Sequence, residues 1–137
     1  ITVLRPNTFV KPKYYNFCPR DNVLVTDKMM LATPMALAAR EQDYLSMLSQ
    51  LQLYGPVTIG RYPKRTNLYN TACIGNPDIL ALNETDPCFD AANVLRANDD
   101  LYYLVSNTGN EKGAEYLQNL LFLFKNYLYF MKSPDIY

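Results

Sequence analysis

The residue types that usually carry catalysis or bind metals are scarce in this chain. Its 137 residues include no histidine, which removes His-assisted nucleophiles, His-based proton transfer and His metal ligands. The three cysteines show no C-x-x-C spacing, and the five glycines form no phosphate-binding loop. We therefore predict no catalytic residues, no metal site and no cofactor, and expect that the chain is not an enzyme.

Two groups of neighbouring carboxylates are the remaining candidates for acid–base chemistry. Asp99 lies beside Asp100, and Glu84 lies close to Asp86. Catalysis by paired carboxylates needs two acids at a set separation across a cleft, whereas neighbouring acids in turns are commonly solvated. Residues 83–90 also lack the alternating acids and central glycine of a calcium loop. We interpret these acids as solvated turn residues.

The cysteines allow one disulfide. A bond between Cys73 and Cys88 would close a loop of about 15 residues and stabilise the fold by roughly 3 kcal/mol, leaving Cys18 unpaired. The alternative is three reduced, buried cysteines. Asn83 begins an Asn-Glu-Thr pattern that matches an N-glycosylation acceptor, although a pattern this short also arises by chance.

A basic, aromatic loop is formed by Arg61, Tyr62, Lys64 and Arg65. Cations beside a ring that can stack could bind phosphate or nucleic acid; the alternative is a solvated loop. The 13 Lys and Arg balance the 13 Asp and Glu, so the net charge is zero, which argues against non-specific nucleic-acid binding. Nucleic acid is therefore not an expected partner.

The strongest periodic pattern lies at 111–132 and predicts a long C-terminal helix. Two apolar stripes lie side by side on this predicted helix and make its apolar surface wider than that of a typical surface helix. Polar breaks at 118–119 and 125–126 argue against a membrane span, which needs about 20 consecutive apolar residues. The first stripe recurs at steps of three and four, the spacing that places residues on one side of a helix: Leu117, Leu121, Phe124, Leu128 and Met131.

Further helices are predicted at 34–54 and 87–97. Each begins at a Thr-Pro or Asp-Pro pair, a favourable start because Pro loses no bond at the first helical position. Together with a few strands they predict an α+β fold. In this helix-rich single domain, the long C-terminal helix packs against a central helix and a small antiparallel sheet. The strands are predicted from apolar and β-branched residues at 23–26, 57–61 and 101–105.

The beginning of the chain is predicted to be extended. Three prolines each remove a backbone donor there, so residues 1–30 are predicted as an arm and strand of the same domain, with 31–137 as the globular α+β body. The first residue is Ile1 rather than Met. We interpret the chain as a processed product or a fragment, which leaves the localisation open with a lean towards a secreted or virion-associated protein.

Tyrosine is the compositional outlier, with 12 residues and no tryptophan. Tyr is favoured where one end of the ring is buried and the other is wet, as at interfaces; a coding bias is the alternative. Phe122 and Tyr129 interrupt the polar face of the long helix, and Tyr14 and Tyr15 lie in the arm. These four residues are predicted to form an interface.

The predicted function is therefore non-enzymatic. We expect a structural or assembly subunit of a virion, a secreted complex or another multi-protein particle, which binds a protein partner or self-associates. Two alternatives remain: a module that binds a small apolar ligand, and a secreted effector or inhibitor that binds a protein partner through the basic loop.

Overall fold

The computed structural model describes Val3, Arg5 and residues 18–60, 82–122 and 128–132. In this part of the chain, the strands form two three-stranded sheets in the orders β1-β2-β3 and β4-β5-β6. Each sheet mixes an antiparallel pair with a parallel pair. None of the helices in these ranges is long and apolar enough to cross a membrane.

The first sheet is built from β1 (Val23–Val25), β2 (Met30–Ala32) and β3 (Val57–Ile59). The β1–β2 hairpin closes through Thr26, whose hydroxyl accepts the backbone N–H of Met29 at 3.1 Å. A helical segment then returns the chain so that β3 pairs parallel to β2. That segment consists of 3₁₀ helices Ala38–Arg40 and Asp43–Ser46 and of α1 (Leu48–Leu51).

The second sheet repeats this plan with β4 (Val94–Ala97), β5 (Asp100–Val105) and β6 (Leu128–Lys132). The β4–β5 hairpin turns at Asn98, which has a φ of 55°, a left-handed conformation that Asn tolerates better than most residues. Helix α2 (Glu111–Phe122) follows, and β6 then pairs parallel to β5. The described chain is thus two consecutive ββαβ units.

One core joins the two units. It combines residues from one face of the first sheet with residues from the α2-facing side of the second sheet and from α2 itself. The first sheet buries its other face against residues 44–51. Members of the shared core include Leu24, Leu31, Phe89, Tyr103, Leu117 and Leu121.

The predicted helix at 111–132 is wrong in its second half, because the helix ends at Phe122 and β6 occupies Leu128–Lys132. An apolar run with residues on every side fits a strand as well as a helix, and periodicity alone does not separate them. Strand pairing settles the matter, since five residues of β6 pair with β5.

The helices predicted at 34–54 and 87–97 are also wrong. Within 34–54 the α-helix is limited to Leu48–Leu51, and the 3₁₀ helices Ala38–Arg40 and Asp43–Ser46 hold the buried side chains of Arg40 and Asp43, so tertiary contacts override good helix propensity. In 87–97 the chain makes one 3₁₀ turn at Ala91–Asn93 and continues as β4. There the side chain of Asn93 forms hydrogen bonds with backbone groups, including the N–H of Asp90. Such side-chain hydrogen bonds compete with the backbone hydrogen bonds of a helix.

The predicted single antiparallel sheet is replaced by the two mixed sheets. Strands lie near 23–26 and 57–61, but they flank β2 instead of pairing together, and the strand near 101–105 belongs to the second sheet. The division at residue 30 stays a prediction, and most of the predicted arm lies outside the described residues.

Candidate active site

A buried guanidinium lies at the centre of a charged cluster. Arg40 Nη1 donates to Asp21 Oδ2 at 2.8 Å, and its Nε donates to Asp43 Oδ2 at 3.1 Å. A third bond runs from Nη2 to the carbonyl of Cys18 at 3.3 Å. Burial opposes the charge of Arg40, but the two carboxylates outweigh burial and raise its pKa above the ordinary value. Arg40 therefore stays charged and ties the segment before β1 to the helical segment after β2.

Asp90 lies close to this cluster, on the second ββαβ unit. It precedes the 3₁₀ turn Ala91–Asn93, which packs against the 3₁₀ turn Pro19–Asp21 of the first unit. The side chain is half-buried, and its Oδ1 is shielded from solvent with no hydrogen-bond partner among the residues that the structure describes. An acceptor in this state is costly and calls for an explanation.

The surroundings of Asp90 raise the pKa of its carboxyl group to about 6. The main cause is burial, which disfavours the charged form. The positive charge of Arg40 and the nearby Thr108 side chain act in the opposite direction, while the negative charge of Asp21 adds to the rise. Asp90 is thus ionised at neutral pH, although its buried surroundings disfavour the negative charge.

The backbone at Asp90 is held by a polar network. Asn93 Oδ1 accepts the N–H of Asp90 at 3.2 Å and the hydroxyl of Thr108 at 3.1 Å. Its Nδ2 donates to the Leu104 carbonyl and to Ser106 Oγ, both at 2.8 Å. Since Asn93 is buried, this network fixes the position from which Asp90 extends.

Asn110 fixes the other side of the segment that carries Asp90. Its Oδ1 accepts the N–H of Gly113 at 2.8 Å as the cap of α2, and also the N–H of Cys88 at 3.0 Å. Its Nδ2 donates to the carbonyls of Asn83 and Asp86, both at 2.8 Å. Asn110 therefore anchors residues 83–88 to the start of α2 and uses both polar atoms of its side chain.

Cys88 and Tyr103 are structural residues in this arrangement. Both are fully buried, so neither side chain is accessible to a substrate. The Tyr103 hydroxyl donates to the Asn110 carbonyl at 2.9 Å, and burial raises the pKa of Tyr103 far above its usual range. The phenol therefore acts as a neutral donor.

The cluster brings three carboxylates, from Asp21, Asp43 and Asp90, to one guanidinium, from Arg40. Such a set attracts a further cation, and a carboxylate with an unused oxygen suits a planar N–H donor best. Within the described ranges, no group of three or more His, Cys, Asp or Glu side chains could hold a metal ion.

The residues of this cluster were missed by sequence reasoning. Arg40 and Asp21 are 19 positions apart, and only the fold brings them together. A weak signal for Asp90 was available, because it is the one acid in the otherwise apolar run Cys-Phe-Asp-Ala-Ala. By contrast, Asp99 is an exposed turn residue, as predicted.

The predicted interface residues are only partly described. Phe122 ends α2 with 77% of its surface exposed. Tyr129 stacks on Tyr102 with ring centroids 5.1 Å apart, on the face of the second sheet opposite α2. This outer face also exposes Leu95, Leu104 and Met131.

The other predicted sites are not tested by the structure. The glycosylation of Asn83 stays a prediction, although its carbonyl is bound by Asn110. The disulfide of Cys88 also stays a prediction. The remaining residues that were singled out lie outside the described residues: Tyr14, Tyr15, Arg61, Tyr62, Lys64, Arg65 and Cys73.

Comparison with known proteins places these features in context. No family model matches the chain. Inosamine-phosphate amidinotransferase 1 from Streptomyces glaucescens is 39% identical over 113 residues, which is 79% of this chain and 32% of that protein. The chain therefore spans about a third of the length of the curated relatives that it matches.

Solved structures agree with this similarity. An amidinotransferase from Microseira wollei, of the saxitoxin biosynthetic pathway, matches 85% of this chain and 35% of its own with a TM-score of 0.74 and 25% identity. The inosamine-phosphate amidinotransferase of Streptomyces griseus matches 83% of this chain and 33% of its own with a TM-score of 0.71 and 34% identity. A dimethylarginine dimethylaminohydrolase shares the fold alone, at 15% identity and a TM-score of 0.64.

These findings correct the predicted fold class and function. The fold is that of amidinotransferases and dimethylarginine dimethylaminohydrolase, with sheets and few helices, so the helix-rich α+β domain is wrong. The similar proteins are enzymes. The expectations of a non-enzymatic chain and of a structural, virion or assembly subunit are therefore wrong as well, because neither the absence of histidine nor an abundance of tyrosine excludes an enzyme.

Proposed function

We propose that the chain forms part of an amidinotransferase, an enzyme that moves an amidino group from a guanidino donor to an amine. The bond between the donor nitrogen and the amidino carbon breaks, and a bond forms between that carbon and the acceptor nitrogen. One proton passes from the acceptor amine to the leaving donor amine, so the reaction needs no oxidant or reductant. The similarity of this chain to inosamine-phosphate amidinotransferases supports this class of reaction.

Asp90 is the residue that we assign to the amidino group. An amidinium or guanidinium ion is planar, cationic and rich in N–H donors, and a carboxylate pairs with it strongly. Asp90 Oδ1 has no hydrogen-bond partner among the described residues, and an N–H brought to it would offset the cost of burying that oxygen. This unpartnered oxygen is the observation that carries the proposal.

Arg40 acts on Asp90 as a positioning residue in this proposal. Its charge lowers the pKa of Asp90, whose burial acts in the opposite direction, and so favours the ionised form that binds a cation. Asp21 and Asp43 hold Arg40 in place. In this proposal the described residues thus form one side of the site, where the Asp90 carboxylate binds the amidino group. Because Cys88 is fully buried, we do not assign it the role of nucleophile.

The test is amidino transfer by the full-length protein and its Asp90→Asn variant, with labelled arginine as donor and inosamine phosphate as acceptor. Removing the charge while keeping the shape is expected to lower kcat/KM by about 100-fold, the scale of a lost charge pair. In the wild type, kcat/KM for arginine should rise as the pH increases through about 6, because only the carboxylate form pairs with the cation.

The matched control is Asp99→Asn, which makes the same chemical change at an exposed turn and should leave transfer unchanged. Transfer at wild-type rates by Asp90→Asn, or no transfer by the wild type from a guanidino donor, would contradict the proposal.

We also propose that Phe122 and Tyr129 contact protein, either a partner or a second copy. The observation that favours this is the apolar outer face of the second sheet, on which Tyr129 stacks with Tyr102. Replacing both residues by Ser should weaken association in sedimentation experiments. Identical sedimentation of the variant and the wild type at every concentration would argue against it.

A further inference from the structure

The side chain of Asn93 belongs to a closed ring of hydrogen bonds next to Asp90. Two backbone groups fix the orientation of its amide: the N–H of Asp90 donates to Oδ1 at 3.2 Å, and the carbonyl of Leu104 accepts from Nδ2 at 2.8 Å. A backbone donor can bond only the amide oxygen, and a backbone acceptor only the amide nitrogen. Asn93 Oδ1 therefore faces Asp90.

This orientation gives every bond of the ring a direction. Because Asn93 Oδ1 is an acceptor, the Thr108 hydroxyl donates its single proton to it at 3.1 Å. Thr108 Oγ1 then accepts from the Ser106 hydroxyl, which lies 3.3 Å away. Ser106 Oγ in turn accepts from Asn93 Nδ2 at 2.8 Å, which closes the ring. One arrangement of the protons thus satisfies all three side chains.

The loop after β5 supplies two members of this ring and also holds Asp90 directly. The Thr108 carbonyl accepts the N–H of Asp90 at 3.2 Å, so this N–H is shared between Thr108 and Asn93. Gly109 allows the loop to approach Asn93, because a Cβ at Gly109 would lie 2.8 Å from the Cγ and Nδ2 atoms of Asn93. The loop therefore fixes the backbone of Asp90 through two acceptors.

The side chain of Asp90 depends on this backbone anchor. Its Oδ1 is shielded from solvent and bonds no residue in the described ranges, so no hydrogen bond at that oxygen sets the direction of the carboxylate. A charged pair between a carboxylate and a planar cation depends on the alignment of its N–H donors. A displacement of the Asp90 backbone would consequently weaken binding of an amidino group.

We infer that Thr108, together with Asn93 and Ser106, is a positioning residue for amidino transfer, and that the ring holds the Asp90 carboxylate where it meets the guanidino donor. The inference rests on the proposed function and extends it to residues that act through Asp90. Correct placement of a binding group contributes to the rate because the reacting atoms must be aligned before transfer.

Thr108→Val tests the ring, since valine has nearly the shape of threonine and lacks the hydroxyl. Transfer from labelled arginine to inosamine phosphate is measured with the full-length protein. The kcat/KM for arginine is expected to fall about 10-fold, the scale of one lost hydrogen bond. Thr108→Ser keeps the hydroxyl and should recover most of the loss. Thr58→Val makes the same change at an exposed position of β3 and should leave transfer unchanged.

Asn93→Asp distinguishes an effect on Asp90 from a general effect on the fold. The new carboxylate keeps an acceptor for the N–H of Asp90 but adds a negative charge beside it, and a neighbouring like charge raises the pKa of an acid. The pH at which kcat/KM for arginine rises should therefore move upward from about 6. Asn119→Asp adds the same charge at an exposed position of α2 and should not move it.

Three results would overturn the inference: wild-type kcat/KM in Thr108→Val, equal losses in Thr108→Val and Thr108→Ser, or a wild-type pH dependence in Asn93→Asp. Absence of transfer by the wild type instead overturns the proposed function, so the two failures are distinguishable.

Discussion

The carboxyl group of Asp90 combines a cost to the fold with a use in binding. Its Oδ1 is buried without a partner in the part of the chain that the structure describes, and burial raises the pKa of the carboxyl group to about 6 from the ordinary 3.8. Residues held in such unfavourable surroundings concentrate at functional sites, where the ligand supplies the missing interaction. Asp21 and Asp43 differ from it, because both are bound to Arg40.

The raised pKa predicts an unusual effect of Asp90 on the pH dependence of stability. Between about pH 4 and pH 6 the folded state binds this proton more strongly than the unfolded state does, so the contribution of Asp90 to the free energy of unfolding falls as the pH rises. Asp90→Asn removes that fall. At pH 7.5 we expect the variant to be more stable by about 1 kcal/mol, measured by urea denaturation without ligand.

Denaturation of the wild type and the variant between about pH 4 and pH 8, a range that brackets the raised pKa of Asp90, isolates this effect, and Asp99→Asn is the control. A variant that is less stable at pH 7.5, with the same pH dependence as the wild type, would show that the Asp90 carboxylate stabilises the fold.

At the scale of elements, the start of α2 decides where the segment before Asp90 lies. Asn110 caps the helix and holds the N–H of Cys88. The Glu84 carboxylate accepts the N–H groups of Glu111 and Lys112 at 3.0 and 2.8 Å, a favourable position for an anion at a helix N-terminus. Close packing here requires a residue without a side chain at Gly113.

Gly113→Ala is expected to destabilise the protein although Ala is the better helix former. The new Cβ would lie 2.6 Å from both the Cys88 carbonyl oxygen and the Tyr103 hydroxyl. Helix propensity contributes about 1 kcal/mol in favour of Ala, whereas overpacking of a core costs about 1–3 kcal/mol. Because a backbone atom must move, we expect overpacking to prevail, with a net loss of about 1 kcal/mol in urea denaturation.

Asn119→Ala provides the comparison on the same helix, since Asn119 is exposed and its replacement should change stability by less than about 0.5 kcal/mol. If Gly113→Ala equals or exceeds the wild type in stability, the packing of α2 against the Cys88 carbonyl is not as tight as described here.

At the scale of the whole molecule, the two ββαβ units share one core, and the candidate site lies at their junction. Leu24 and Leu31 of the first sheet pack into the same cluster as Phe89 and Tyr103 of the second unit. The Arg40 cluster and Asp90 come from different units. A change in the packing between the units should therefore move the site as well as weaken the fold.

Leu31→Ala tests this coupling, because Leu31 is fully buried in the shared core. The cavity should cost about 2–5 kcal/mol, and hydrogen exchange should show reduced protection in both β2 and β5. Leu53→Ala, at a side chain that is 76% exposed, should have little effect. Loss of protection confined to the first unit would indicate that the units unfold independently.

The sequence predicted individual strands better than it predicted their partners. Apolar and β-branched residues mark β1, β3 and β5, because the alternation of a strand is a local property. The partners of β2 and β6 are set by pairing across the sheet. Because the apolar run of β6 follows α2 closely in sequence, its pattern predicts a continuation of the helix.

By itself, the sequence determined the balanced charge, the absence of histidine and the solvated acid at Asp99, since each depends on single residues or on near neighbours. Only the tertiary structure decided that Arg40 meets Asp21 and Asp43, and that Asp90 lies beside them with an oxygen that no other described residue pairs with. The physical reason is the sequence separation over which each property acts. Propensity and periodicity report on the backbone within a few residues, whereas this site is created by desolvation and charge contacts between residues from two separate units.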